Sequence, residues 1–435
     1  MHDNPNPSED STDNSTHYLR TLATMAQRRK VIAQDAIFSA NGIKLVEKGV
    51  CFDSHMYDRL VQHKLREPVD THLTVEDAVT SASLRQQADH LLLHADLPKL
   101  LAQSLGSTAR LSAPLKTLYL APRIAFRLTV MREELPGLFA HSLEVMLTAQ
   151  YLALASHMAD EDCNRLAAAA LLHDLGVLHM DPMWRDPDHK VTGAERRHLV
   201  AHPITAMLVV RDAGIYGPRV ETAILEHHER MDGTGYPRGL SGNDISPLGQ
   251  VLLMAELVAA FAEKNSDTAF EQLSLVLRLN HRKFPKTLTE HILSLLSATG
   301  HADKILAPPP AEQLRPLVQH LVQAFGQWEQ AKAHINFSDA SDENPGPIAF
   351  VEERLRLLER TLVETGMQTG ETEPLHDAGA DLSELSFVVR EALWQLTSIV
   401  NGCERRWPLE LQQRSGPQAS AVAQWCDWVR SISRT

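Results

Sequence analysis

From about residue 130 to 300 the chain reads as helix after helix, and two of those helical patterns carry paired ligand-type residues: His173-Asp174 inside LLHDLGVLHMD, and His227-His228 followed by Glu229. Helices that bear such pairs must turn them either to water or into one shared cavity. A histidine directly followed by an aspartate offers a nitrogen ligand and a carboxylate that can bridge two cations. A second histidine pair about fifty residues later can complete the surroundings of the second cation. Two metals a few ångströms apart are a device for hydrolysing phosphate esters.

The 435 residues allow two to three domains. Apolar residues make up 43% and aromatics only 5%, with Leu and Ala frequent, so the composition favours helices over sheets and supplies a full core. The net charge of −13 argues against binding nucleic acid polymers or an anionic membrane, but leaves room for a small nucleotide in one local pocket. Cys51, Cys163, Cys403 and Cys426 are scattered, without a CxxC pair. Reduced thiols in a cytoplasmic protein are therefore expected, rather than a disulfide framework. No apolar run in the sequence approaches the length of a membrane span, and the polar N-terminus has no signal core.

The expected fold is mainly α. Residues 1–18 are polar and are expected to be disordered. A small α+β module is expected over 25–75, with Asn41-Gly42 as a hairpin signal and a helix over Ser54 to Lys64. A helical connector follows over 76–129. Within 130–300 five helices are expected: Leu138 to Met158, Asn164 to Leu178, one opening at the capping-box sequence Thr192 to Glu195, one with Pro218 in its first turn, and one capped by Ser246-Pro247. A helical extension (301–337), a linker (338–347) and a C-terminal helical region (348–435) complete the chain. Trp394, Trp407, Trp425 and Trp428 in that last region read as packing residues.

Nine of the 22 histidines lie between His141 and His228, roughly twice an even spread, and their arrangement says more than their number. On a continuous helix His173 and Asp174 would lie about 100° apart, so both could lean into one cavity, and His227 and His228 likewise. Neutral imidazole with carboxylate suits Fe, Mn or Zn. His179, His189 and His198 read as solvent-exposed.

With His141, His173-Asp174, His202-Pro203, His227-His228-Glu229 and the loop Asp232-Gly233-Thr234-Gly235-Tyr236-Pro237 in order, the segment from about 130 to 275 resembles the HD-GYP domain. That domain is a subgroup of the HD metal-dependent phosphohydrolases. The resemblance implies an all-helical domain with two divalent metal ions that hydrolyses cyclic di-GMP. It implies that His141, His173, Asp174 and Glu256 hold one metal and that His202, His227 and His228 hold the other, with Asp174 bridging. His173 and Asp174 would carry the catalysis, while Asp232, Gly235, Tyr236 and Pro237 would border the pocket or meet a partner protein, such as a diguanylate cyclase. Glu229 and Arg230 read as supports for the ligands or the loop.

Four positions depart from the family pattern. Val177 stands where the motif HDxGK has lysine, which removes a charge that would face the phosphate. Glu256 replaces an aspartate, Ala259 a second aspartate, and Gly137 an acidic residue linked to a third metal. Downstream, Lys264 is the one cation in FAEKNSDTAFEQ, where members grip the dinucleotide phosphates. Three readings follow: an active cyclic di-GMP phosphodiesterase, a catalytically weak or inactive regulator that binds nucleotide or protein, and a binuclear hydrolase of another phosphate ester. Regulation or homodimerisation is the expected work of the terminal regions.

Overall fold

The computed structural model describes residues 8–185, 193–263, 268–300, 311–333, 346–364 and 382–432. The chain divides into two compact units, 1–266 with 282–295, and 267–281 with 296–435.

The first unit opens with α1 (Ser8–Ala26), β1 (Val31–Ala33), β2 (Ile37–Phe38), β3 (Lys44–Val46), α2 (Ser54–Val61) and β4 (Leu73–Val75). Strands β1 and β4 pair antiparallel, Val31 opposite Val75, and β2 and β3 form the expected hairpin, with Gly42 at φ +80° in its turn. Positive φ suits glycine because no Cβ meets the backbone. Asp53 caps α2 by accepting a hydrogen bond from the Met56 amide at 2.8 Å. The helices α3 (Ser81–His94), α4 (Asp96–Leu105) and α5 (Thr108–Leu111) form the connector.

The helices that build the site are α6 (Pro122–Glu134), α7 (Pro136–Ala155), α8 (Asp160–Leu172), α9 (Gly193–Leu199), α10 (His202–Asp212), α11 (Pro218–Glu226) and α12 (Pro247–Ala262). Proline falls in the first turn of α6, α7, α10, α11 and α12, where its missing N–H costs nothing. Ser246 caps α12 through the Gly249 amide at 3.1 Å. Helix α7 is long and apolar enough to cross a membrane by length and composition, but 72% of that window is buried inside the protein, as in a core helix. It packs against α8 and α12, and Leu143, Met146, Leu147 and Leu152 are fully or almost fully buried.

In the second unit α13 (Ala269–Leu279), α15 (Ala311–Lys332), α16 (Pro347–Glu364), α17 (Leu382–Arg406), α18 (Pro408–Gln413) and α19 (Gly416–Ile432) surround a separate core. Helix α14 (Lys286–Ala298) begins in the first unit. Trp425 is 1% exposed, sits edge-on to Trp328 at 5.5 Å and donates its indole N–H to the Ala324 carbonyl at 3.0 Å. Trp407 and Trp428 pack partly buried against this core, as expected, but Trp394 is 57% exposed on α17. Trp328, which carried no sequence signal of its own, is the buried partner.

Two differences have clear physical causes. The N-terminal segment expected to be disordered to residue 18 is helical from Ser8. Tyr18, Leu19, Leu22 and Met25 are buried, on a face that packs against α2 and α6, so tertiary burial and not local propensity forms the helix. The second site helix, expected to reach Leu178, ends at Leu172, and a 3₁₀ turn takes over from Leu175 to His179. Thr192, His189, Lys264 and most of the expected linker lie outside the described residues, and α16 begins at Pro347.

Candidate metal centre

Three helix ends aim three imidazoles at one point. His173 follows the last residue of α8 and its Nδ1 donates to the Ala170 carbonyl at 2.7 Å. His227 follows α11 and its Nδ1 donates to the Ile224 carbonyl at 2.6 Å. His202 opens α10, three residues beyond the end of α9, and its Nδ1 donates to the Leu199 carbonyl at 2.7 Å. A helix leaves its last carbonyls without a backbone partner, and these side chains take them. A carbonyl can only accept, so Nδ1 carries a hydrogen in each ring and Nε2 is the atom that faces the centre. The carbonyl ends of helices also favour positive charge. The doublets therefore do not lie on continuous helix, as their spacing suggested; they sit where helices stop.

The facing atoms converge closely. His173 Nε2 lies 3.3 Å from Asp174 Oδ2 and 3.3 Å from Glu256 Oε2. His141, on α7, places Nε2 at 2.8 Å from Glu256 Oε2. On the other side Asp174 Oδ1 lies 3.3 Å from His202 Nε2 and 3.8 Å from His227 Nε2, and the Nε2 atoms of His202 and His227 are 3.2 Å apart. His228 stands beside them, its ring 5.0 Å from that of His202. The two carboxylate oxygens of Asp174 thus face two different donor sets. One potential ligand atom from each of His141, His173 and Asp174 falls within 4.8 Å of the others, and the same holds for His202, His227 and His228.

These donors fit metal ions better than they fit one another. His173 Nε2 and Asp174 Oδ1 are buried without a hydrogen bond, although nitrogens and oxygens crowd around them. Buried polar atoms are nearly always bonded, so two unbonded atoms at one point mark a place for a ligand. Imidazole nitrogens with carboxylates form a borderline donor set suited to divalent transition ions. Residues 173, 174, 202, 227, 228, 141 and 256 are all brought together, as the sequence reading expected of them.

Electrostatics point the same way. Burial opposes charge at each group. At His141 the carboxylates of Glu256 and Glu263 outweigh burial and raise the imidazole to about 11, and at His173 the carboxylates of Asp174 and Glu256 raise it to about 10. Against their own burial, Asp174 and Glu256 are held well below the usual carboxylate range by these facing imidazoles. Burial together with the charges of His173 and His202 pushes His227 down to about 3, and His228 falls through burial and its histidine neighbours. Without metal, two protons supply the positive charge that the carboxylates require.

Close backbone packing assembles the site. A Cβ on Gly176 would lie 2.2 Å from the His202 carbonyl oxygen, so glycine is needed for the turn after Asp174 to reach the start of α10. A Cβ on Gly235 would lie 2.3 Å from Glu229 Cα, which lets the loop 232–240 close over the His227-His228 corner. Two buried glutamates hold that loop. Glu229 accepts from the amides of Arg238, Gly239 and Leu240 at 2.7, 3.2 and 3.0 Å. Glu226 accepts from Arg238 Nη2 at 2.6 Å and from the Ser246 amide at 2.9 Å. Asp232 accepts from the Thr234 amide at 3.0 Å, which closes a turn. Tyr236 lies over His228 with ring centres 4.7 Å apart, and burial raises its phenol. Its peptide bond to Pro237 is cis.

Val177 is half-buried in the turn after Asp174, and Ala259 is fully buried in α12. Among the structural roles the sequence reading missed is that of His179, which is half-buried rather than exposed. It stacks on Tyr18 at 5.0 Å and its Nε2 accepts from Arg127 Nη1 at 2.8 Å. Arg127 in turn pairs with buried Asp70. Glu226 was also missed. Its one signal was its place a turn before the doublet, which does not tell a ligand from a support.

Residues 128–274 match the model of the HD domain. A 3'3'-cGAMP-specific phosphodiesterase of Vibrio cholerae is 29% identical over 154 residues, covering 35% of this chain and 33% of the relative. A cyclic di-GMP phosphodiesterase of Pseudomonas aeruginosa is 33% identical over 114 residues, 26% of this chain and 27% of the relative. The chain thus spans about a third or less of the length of these curated relatives. A solved HDG"Y"P protein from Bdellovibrio bacteriovorus aligns over 62% of this chain and 94% of its own, with 18% identity and a TM-score of 0.34. Residues 128–274 thus form an HD domain, similar to segments of these cyclic-dinucleotide phosphodiesterases.

Proposed function

We propose that the chain is a metal-dependent phosphodiesterase that hydrolyses a cyclic dinucleotide, cyclic di-GMP in the first place. The observation that carries this reading is Asp174, whose Oδ2 faces His173 and whose Oδ1 faces His202 and His227. His141, His173, Asp174 and Glu256 would hold one divalent ion and Asp174, His202, His227 and His228 a second, and Fe, Mn or Zn would suit these donors. Bound there, such ions would supply Lewis-acid charge and would lower the pKa of water.

The chain's own residues do the rest. Asp174 gives one oxygen to each donor set and keeps its charge, since its neighbours hold it ionised. The helix-end carbonyls take the Nδ1 hydrogens of His173, His202 and His227, so Nε2 is the atom each ring would offer to an ion. The Tyr236 ring covers His228 and shields that flank from water. Asp232, Gly235 and Pro237 shape the rim, and Glu229 fixes it.

Val177 supports a second reading, a weak or inactive member that acts as a nucleotide sensor or binds a partner such as a diguanylate cyclase. A neutral side chain there withdraws charge stabilisation from the phosphate. The relatives act on two cyclic dinucleotides by their names, so the decisive experiment uses both. The full chain, loaded with Mn or Fe, is assayed by chromatography for linear product from cyclic di-GMP and from 3'3'-cGAMP. Turnover that vanishes in the His173→Ala, Asp174→Ala double variant is expected. Binding of either nucleotide without product would establish the sensor reading instead, and product from another phosphate ester alone would reassign the substrate.

A further inference from the structure

His173, His202 and His227 have their Nδ1 atoms fixed by backbone carbonyls, each three residues earlier in the chain. His141 has no such carbonyl. It sits in the second turn of α7, inside the helix, where the carbonyls behind it are already engaged. Its Nδ1 is buried and makes no aligned hydrogen bond. The acceptor beside it is Glu263 Oε1, at 2.7 Å. Glu263 follows the last residue of α12, seven positions after Glu256, so two turns of one helix face the two nitrogens of one imidazole. Its side chain is 44% exposed.

We propose that Glu263 is the positioning residue for His141. Its carboxylate accepts the Nδ1 hydrogen, fixes the tautomer and leaves Nε2 to a metal ion. His173, His202 and His227 obtain this from the backbone, and His141 obtains it from a side chain. Metal-binding histidines commonly need such a partner on the second nitrogen, and its loss typically lowers metal affinity about ten- to a hundredfold. Glu263 lies outside the family motif residues, and a sequence reading has no reason to select it. Its partner is 122 positions away in the chain. The inference rests on the metal-centre reading above but not on which substrate is turned over.

The test is metal binding by the full chain, with no substrate present. Mn(II) is titrated into wild type, Glu263→Ala, Glu263→Gln and His141→Ala, with stoichiometry read by elemental analysis after gel filtration and helicity checked by circular dichroism. Glu263→Ala is expected to weaken one of two sites about tenfold or more at unchanged helicity. Glu263→Gln, whose amide oxygen still accepts a hydrogen bond, is expected to stay within about threefold of wild type. In the chain loaded with diamagnetic Zn(II), the ¹⁵N spectrum of His141 is expected to show a slowly exchanging hydrogen on Nδ1 in wild type and in Glu263→Gln, and a fast-exchanging one in Glu263→Ala.

Wild-type affinity in Glu263→Ala overturns the inference while leaving the metal centre intact. Equal losses in Glu263→Ala and Glu263→Gln overturn it in favour of a simple charge effect. A wild-type chain that takes up no metal at all overturns the metal centre and this inference together. Metal uptake without hydrolysis touches only the proposed activity.

Discussion

At the scale of single residues, the site is a balance between protons and metal. Imidazolium at His141 and His173 satisfies Asp174 and Glu256 in the metal-free chain, at about 11 and about 10. Both folded values lie above the ordinary value for histidine, so the stabilisation by these protons is complete below about pH 6.5 and is lost as pH rises through 10 and 11. A metal ion needs the neutral rings, so binding must expel the protons. Calorimetry at pH 7 in buffers of different ionisation heat is expected to show about two protons released per filled site pair. Apparent affinity should rise as pH increases, by up to about a hundredfold between pH 7 and 8 for two protons. Uptake that releases no proton would show that the histidines are neutral beforehand. None of this charge state is legible from the residue types, because His227 has the same side chain as His173 and lies at about 3. The difference is the neighbours: buried His227 faces the charges of His173 and His202 with Asp174 Oδ1 at 3.8 Å, while carboxylates stand 3.3 Å from His173 on two sides.

At the scale of elements, the ends of helices do the chemistry. The spacing of apolar residues located α7 to within about three residues, and Pro218 and Ser246-Pro247 marked the starts of α11 and α12, while α8 begins earlier and ends six residues sooner than expected. The spacing did not show that α8 and α11 stop immediately before their histidines, since neither end carries the glycine that usually announces one. The loop after α11 depends on one carboxylate. Glu229→Ala removes the acceptor of three amides, which should cost on the order of 1–3 kcal/mol locally. Hydrogen exchange is expected to quicken at Arg238, Gly239 and Leu240 while α7 keeps its protection. Unchanged exchange at those amides would mean that Glu229 does not hold the loop.

At the scale of the whole molecule, two units each carry their own core. Ligand binding stabilises only the fold that binds it, by about 4 kcal/mol at a thousandfold excess over Kd. Chelation of a metal-loaded sample is therefore expected to lower hydrogen-exchange protection in α7, α8 and α12, the packed helices behind the donors. Trp425→Ala, which empties a site 1% exposed and removes the bond to Ala324, is expected to cost about 3–5 kcal/mol, seen as lost protection in α15, α17 and α19. Protection in α7 that ignores chelation would separate the metal from the fold.

The order of histidines, aspartate and glycine loop, through its resemblance to the HD-GYP domain, was enough to name the seven side chains that meet. Residue type and spacing by themselves marked only the paired ligand-type residues and the helices that carry them. Tertiary structure alone decided which rings are charged, where each helix stops, and that Glu226, Glu229 and Glu263 serve the donors and the loop. Those outcomes depend on burial and on contacts between residues as far apart as His141 and Glu263, and no local pattern encodes such a distance.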